Sequence, residues 1–292
     1  MPATGHITTR TALLTGAAML AFAANSLLCR LALAPGLVDA ASFTSIRLVS
    51  GAITLAVILV YRDGMRTAPK ANWRAVAALY AYMAFFSFAY LSLSAGTGAL
   101  ILFGAVQLTM FIVALRSGEH FSLLSWGGLA VAVFGLVYLV CPGVTAPDPV
   151  GAVAMAAAGI SWGFYSLLGR GARDPLAATA GNFIYAVPFA VILSLVFLSH
   201  FHLTPTGFAL AVISGSVASA CGYVIWYAAL PGLTATRAAT VQLSVPVIAA
   251  FGGIALISEA LTLRLVVASI ATLGGVAIVL AQRSTQAPRS RR

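Results

Sequence analysis

Two glutamines stand in nearly the same apolar words, Gln107 in "AVQLT" (105–109) and Gln242 in "TVQLS" (240–244). Asn25, Arg47, Tyr82, Trp162, Tyr165 and Tyr227 are likewise set inside long apolar runs. Amides, phenols and an indole in such places can hydrogen-bond and stack on a small molecule. They cannot by themselves run nucleophilic or acid–base chemistry, which needs a nucleophile beside a base. An unpaired amide in hydrocarbon is costly, so each must face protein or water. For any one of them a hydrogen bond between helices is the plain alternative to ligand contact. As a set, these eight are the candidate small-molecule-binding residues. Tyr90, Tyr223 and Trp226 extend the aromatic lining, although Tyr90 and Trp226 lie near helix ends, where interfacial belt residues collect.

Arg47 is the one cation well inside an apolar run, about 10 Å deep at roughly 1.5 Å per residue from the nearer end. Its ordinary reading is snorkelling to the interface; contact with an anion, or a clamp between helices, is the alternative. All six carboxylates, Asp39, Asp63, Glu119, Asp148, Asp174 and Glu259, fall at loops or run ends. None is placed for an embedded proton relay. Glu119 and Glu259 each precede a capping hydroxyl, Ser122 or Thr262, by three residues, which suits a structural role at a helix N-terminus. The four histidines lie in the N-terminal tail or loops, and the "HFH" pair (200–202) supplies too few ligands for a metal. Cys29, Cys141 and Cys221 have neither metal nor disulfide spacing and read as packing residues, a Cys29–Cys141 bridge being the minor alternative. No cofactor or metal is expected.

The elements that must position these residues follow from composition. The 292-residue chain is 61% hydrophobic and 8% charged, with a mean hydropathy of +1.02; a soluble domain carries about a quarter charged residues. Lipid is the solvent that fits. Ten apolar windows are predicted to span it as helices: 11–33, 40–61, 73–94, 97–115, 122–141, 149–169, 176–198, 206–230, 233–257 and 262–281. "ALAP" (32–35) imitates a signal-peptidase site, but Pro35 disfavours cleavage and the run is long enough to span, so the first helix is expected to be retained. The net charge of +10 could suggest nucleic acid, but the basic residues sit in short stretches between spans with no basic aromatic face. With the N-terminus in the cytoplasm, thirteen of the sixteen Lys and Arg fall inside, Arg62, Arg66, Lys70 and Arg74 among them, and only Arg30 and Arg264 lie outside or at the outer boundary. Both termini are therefore expected in the cytoplasm, and the chain in the inner membrane of a bacterium.

The halves echo each other. "NSLLCR" (25–30) matches "YSLLGR" (165–170), "AVQLT" matches "TVQLS", and "EHFS" (119–122) matches "EALT" (259–262), in the same order and at offsets of 135–140 residues. Five spans per half is an odd number, so the second half (143–292) must enter the membrane inverted relative to the first (1–142). On Glu119 and Glu259, the paired glycines Gly127–Gly128 and Gly274–Gly275, "SWGFYSLLGR" and Pro246, the chain resembles EamA-type members of the drug/metabolite transporter superfamily across residues 11–281. That resemblance implies an all-α, 5+5 inverted fold. It also implies a central cavity lined by spans 1, 3, 4, 6, 8 and 9, and export of small metabolites, amino acids or drugs by alternating access. A channel-like or non-transporting integral membrane subunit is the alternative; an intramembrane enzyme is the lesser one, since it would need a nucleophile–base pair or metal cluster within the spans. A homodimer is compatible with the sequence. One departure matters: Phe111 stands where the repeat would place a partner to Pro246. The ninth span is thus expected to bend where the fourth does not.

Overall fold

The computed structural model describes residues 8–64, 72–169, 172–233 and 235–286, the side chains of 235, 236 and 283–286 excepted. Arg66, Lys70, Arg170, Arg289, Arg291 and Arg292, which enter the charge count, lie outside the described residues. Helices α1 (Thr9–Leu33), α2 (Ala40–Asp63), α3 (Trp73–Ala89), α4 (Ala95–Arg116) and α5 (Leu123–Val140) make the first half. Then come α6 (Pro149–Gly169), α7 (Pro175–Val196), and one long run of α8 (Pro205–Ile213), a π-helical stretch (Ser214–Cys221) and α9 (Gly222–Ala229). The chain closes with α10 (Ala235–Gln242), α11 (Ser244–Ile257) and α12 (Leu263–Gln286). Nine of these helices or helix runs are long and apolar enough to cross a membrane, among the described residues. The exception is α3, whose 17 residues reach about 25 Å against a hydrocarbon core of roughly 30 Å.

Local chemistry sets the boundaries. Side-chain oxygens of Thr8, Asp39, Asn72, Ser94, Ser122, Asp174 and Thr204 accept backbone N–H groups of the following first turns, and Pro149, Pro175 and Pro205 open α6, α7 and α8, where a missing N–H costs nothing. Ser94 corrects two predicted boundaries. By capping at Thr97 N it starts α4 at Ala95, so the third span ends at Ala89 rather than 94. The ninth span is not continuous: α10 ends at Gln242 and α11 begins at Ser244. Pro246 lacks the N–H that would bond Gln242 O, and Leu243 N turns instead to Thr240 O at 3.1 Å. α4, with Phe111 at the matching place, runs unbroken, as expected.

Neighbouring helices meet through small residues. A Cβ on Gly159 would lie 2.5 Å from Leu102 O, one on Gly215 2.1 Å from Arg47 O, and one on Gly207 2.4 Å from Leu37 O. Close backbone approach of this kind is how helices associate in lipid, where apolar burial between them gains little. The contacts also give directions. Gly159 meets Leu102 and Gly163 meets Thr109, so α4 and α6 run parallel; Ser45–Ala190 and Gly51–Phe183 set α2 and α7 antiparallel. The outer surface is apolar: Leu13, Ile53, Phe134, Ile192, Phe251 and Ile270 are all exposed. A soluble monomer does not present such a belt, and lipid is what covers it. At one end Arg62 pairs with Asp174, tying α2 to α7 and holding the Asp174 carboxyl below its usual range. At the other, Leu37 and Asp39 exchange backbone and side-chain bonds with His202 and Thr204. Cys29 is buried, Cys141 exposed, and all three thiols are free, so the Cys29–Cys141 bridge does not form.

Candidate functional site

A cavity of about 450 Å³ lies among α1, α4, α6, α9 and α10. Gln107, Trp162, Tyr165, Tyr227 and Gln242, five of the eight candidates, line it. Gly169, Ala172, Pro175, Leu230 and Leu233, at element ends on the Arg62 side, form its mouth. Directly beyond lies a void of about 20 Å³ walled by Asn25, Tyr82, Phe86, Leu102 and Phe103. Phe22, Trp162 and Tyr223 belong to both spaces and form the layer between them. The Trp162 ring centroid is 4.8 Å from that of Tyr82 and 5.2 Å from that of Tyr223, both rings tilted to it, so the three form one aromatic cluster.

The structure brings the two glutamines to one cavity from different helices. Gln242 donates Nε2 to Ala238 O at 3.3 Å, leaving its carbonyl end for the cavity. Asn25 is committed elsewhere: its Oδ1 accepts from Ser214 at 2.9 Å and Ser219 at 3.3 Å, both on the π-helical stretch.

Arg47 does not snorkel. It is fully buried, donating Nε to Ser219 Oγ and Nη2 to Tyr82 Oη, each at 3.2 Å, with its guanidinium 4.8 Å from the Phe86 ring centroid. Gly51 and Gly215 let α2 pack closely on α7 and the π-helical stretch around it. It clamps α2, α3 and the π-helical stretch and lines neither cavity. Tyr90 and Trp226 also depart from the belt reading. Tyr90 is buried, donating to Ala95 O at 3.3 Å, and Trp226 lines the main cavity. Phe22 and Met110, not singled out from the sequence, also line it and stand three residues from Asn25 and Gln107. That spacing was the signal that could have found them.

At the opposite end an ion pair ties the elements together. Arg30, near the end of α1, donates Nε to Glu259 Oε1 at 3.2 Å and Nη1 to Tyr90 O and Leu91 O. Glu259 also accepts Ala95 N, at 2.9 Å through Oε2. The carboxylate thus caps α4 from across the molecule rather than serving its own helix, while Ser122 and Thr262 cap α5 and α12 as expected. Its reach comes from Ser258. At φ 57° this residue takes the left-handed conformation that usually calls for glycine and closes α11, with Glu259 N bonded to Gly253 O.

An apolar-sided helix assembly enclosing an aromatic, amide-bearing cavity defines an integral membrane protein of transporter type. The model of the EamA-like transporter family matches residues 149–281. Over 96% of this chain and 98% of the relative, the sequence is 51% identical to uncharacterized protein PA1977 of Pseudomonas aeruginosa. A crystal structure 17% identical in sequence aligns over 94% of this chain and 98% of its own with a TM-score of 0.65, which shows the fold is shared. The chain belongs to the EamA-like transporter family.

Proposed function

We propose that the protein is a secondary transporter that exports small metabolites, amino acids or drugs by alternating access, working in the inner membrane of a bacterium. The observation that carries this reading is the pairing of a cavity reaching one face with an ionic seal, Arg30–Glu259, on the other. Ten spans, α3 counted despite its length, form two five-helix repeats, 1–142 and 143–292, inverted about an axis in the membrane plane. Reciprocal contacts support that arrangement: a Cβ on Gly128 would meet Gly275 O at 2.7 Å, and one on Gly275 would meet Gly128 O at 2.4 Å, between antiparallel α5 and α12. Charge supports the orientation. Arg10, Arg62, Arg116, Arg173 and Arg237 lie toward the cavity mouth, while Arg30 and Arg264 lie toward the seal, so the mouth faces the cytoplasm and both termini are cytoplasmic.

Profiling of exported metabolites with and without expression tests the function. A profile that does not change would overturn it. A C-terminal reporter active only outside the cytoplasm would overturn the orientation. The double variant Gln107→Leu/Gln242→Leu is expected to insert normally. It should lose roughly tenfold in transport, since two hydrogen bonds of about 0.5–1.5 kcal/mol each are removed. Wild-type flux in the inserted double variant would rule out their role.

A further inference from the structure

Two buried polar atoms near the void, one of them behind its wall, have no partner. Arg47 Nη1 and Tyr223 Oη are both buried and make no hydrogen bond, although the other Arg47 donors are placed on Ser219 and Tyr82. Among the described residues Arg47 has no carboxylate partner, and none of the six Asp and Glu side chains lines either the cavity or the void. A buried cation without a counter-charge is strongly unfavourable, and an unsatisfied buried donor adds to that cost. The void lies against this group: Tyr82 and Phe86, both touching the guanidinium, form its wall, and Tyr223 forms another part. It is continuous in lining with the wide cavity through Phe22, Trp162 and Tyr223.

We infer that Arg47, behind the Tyr82–Phe86 wall of the void, and Tyr223, which lines it, form the anion-binding end of the transport cavity, and that the substrate is a small organic monocarboxylate with an apolar or aromatic body. The proposal rests on the transport reading of that cavity. One guanidinium balances one negative charge. A void of about 20 Å³ admits only a small terminal group, while Trp162, Tyr165, Trp226 and Tyr227 receive the body by stacking. With no acid in the lining, an ammonium group has no ionic partner, so a zwitterionic amino acid is disfavoured against the matching carboxylate that lacks the amine.

The test measures binding to the purified full-length protein by thermal protection and Trp fluorescence. The probes are benzoate, phenylacetate and indole-3-acetate, each beside its primary amide, with phenylalanine and sodium chloride as further probes. At least one carboxylate is expected to bind about tenfold tighter than its amide, the ratio of one well-made charged contact. It should also bind tighter than phenylalanine. That preference should collapse toward unity in Arg47→Gln and weaken in Tyr223→Phe, and Arg47→Lys should retain part of it. Tyr223→Phe removes only an unpartnered hydroxyl, so it keeps the test open if Arg47→Gln does not fold. The proposal is overturned if no carboxylate outbinds its amide, if the preference survives Arg47→Gln or Tyr223→Phe intact, or if chloride protects as well as the carboxylates. Counterflow in proteoliposomes separates the two readings. Exchange of neutral solutes alone would leave the transporter standing without this site. Arg47-dependent carboxylate binding with no exchange of any solute would leave the site without the transporter.

Discussion

Glu259→Gln is expected to open the sealed face. The Glu259 carboxylate ties two elements to the turn that ends α11: Arg30 of α1 and the N-terminus of α4 at Ala95. Neutralising it weakens charge-assisted bonds worth roughly 1.5–3 kcal/mol each. Since about 1.4 kcal/mol is tenfold in a population, a rise of about tenfold or more in the sealed-face-open state follows. Cys29, fully buried and one residue before Arg30, is a built-in reporter. In a Cys141→Ser/Cys221→Ser background it is the sole thiol, and a membrane-impermeant maleimide should label it faster in Glu259→Gln than in the parent. In the same variant a probe thiol at Ser166→Cys, on the main cavity wall, should become less reactive from the mouth side. Labelling of Cys29 that does not change would remove the seal from the mechanism. Exchanging the charges, Arg30→Glu with Glu259→Arg, should not rescue closure. The present carboxylate accepts Ala95 N and the present guanidinium donates to the carbonyls of Tyr90 and Leu91, and a swap leaves both sets facing groups of the wrong polarity.

The parts of this molecule that were legible in advance are those governed by local periodicity and by the cost of burying polar groups. Span positions followed from apolar run length, the break near Gln242 from Pro246, and five cavity residues from the rule that an amide or ring in a greasy run must face something polar. What escaped was set by approach between distant segments. Arg47 looked able to snorkel because its depth was measurable, while the tight seating of Gly215 on its backbone carbonyl was not. Tyr90 looked interfacial until the early end of α3 folded it beneath α4. Glu259 looked like a charge serving the N-terminus of its own helix, and the left-handed turn at Ser258 instead carries it to α4. The small residues of "SGSVAS" (214–219) permit close approach but do not announce a π-helical stretch. The widened turn itself, which places Ser214 and Ser219 together on Asn25, depends on α1 packing against it.

Gly275→Val should have the largest effect on folding while touching no cavity residue. α5 and α12 cross antiparallel. A Cβ at 275 would sit 2.4 Å from Gly128 O, 2.6 Å from Ala132 N and 3.0 Å from Ala132 Cα. All three are backbone atoms, so no rotamer change relieves the clash, and the two helices would have to separate along their length. Separation would also cost the contacts at Gly135 with Thr272, whose hydroxyl lies 3.5 Å from Ala132 O. Overpacking in a closely packed interior costs roughly 1–3 kcal/mol, occasionally more, and helices in lipid have little but such packing to hold them together. A marked fall in the detergent-solubilised unfolding temperature is therefore expected, with low yield of monodisperse protein. Gly274→Val is the matched control. Its Cβ meets nothing within 4 Å, so it should unfold near the wild-type temperature and transport normally. Equal stability of the two variants would show that α5 and α12 do not meet at Gly128 and Gly275, and would remove the reciprocal contact on which the inverted arrangement of the halves leans. A loss confined to Gly275→Val would place the rigid seam between the halves at this crossing. The helices that line the cavity, α1, α4, α6, α9 and α10, would then be the ones free to rock around it.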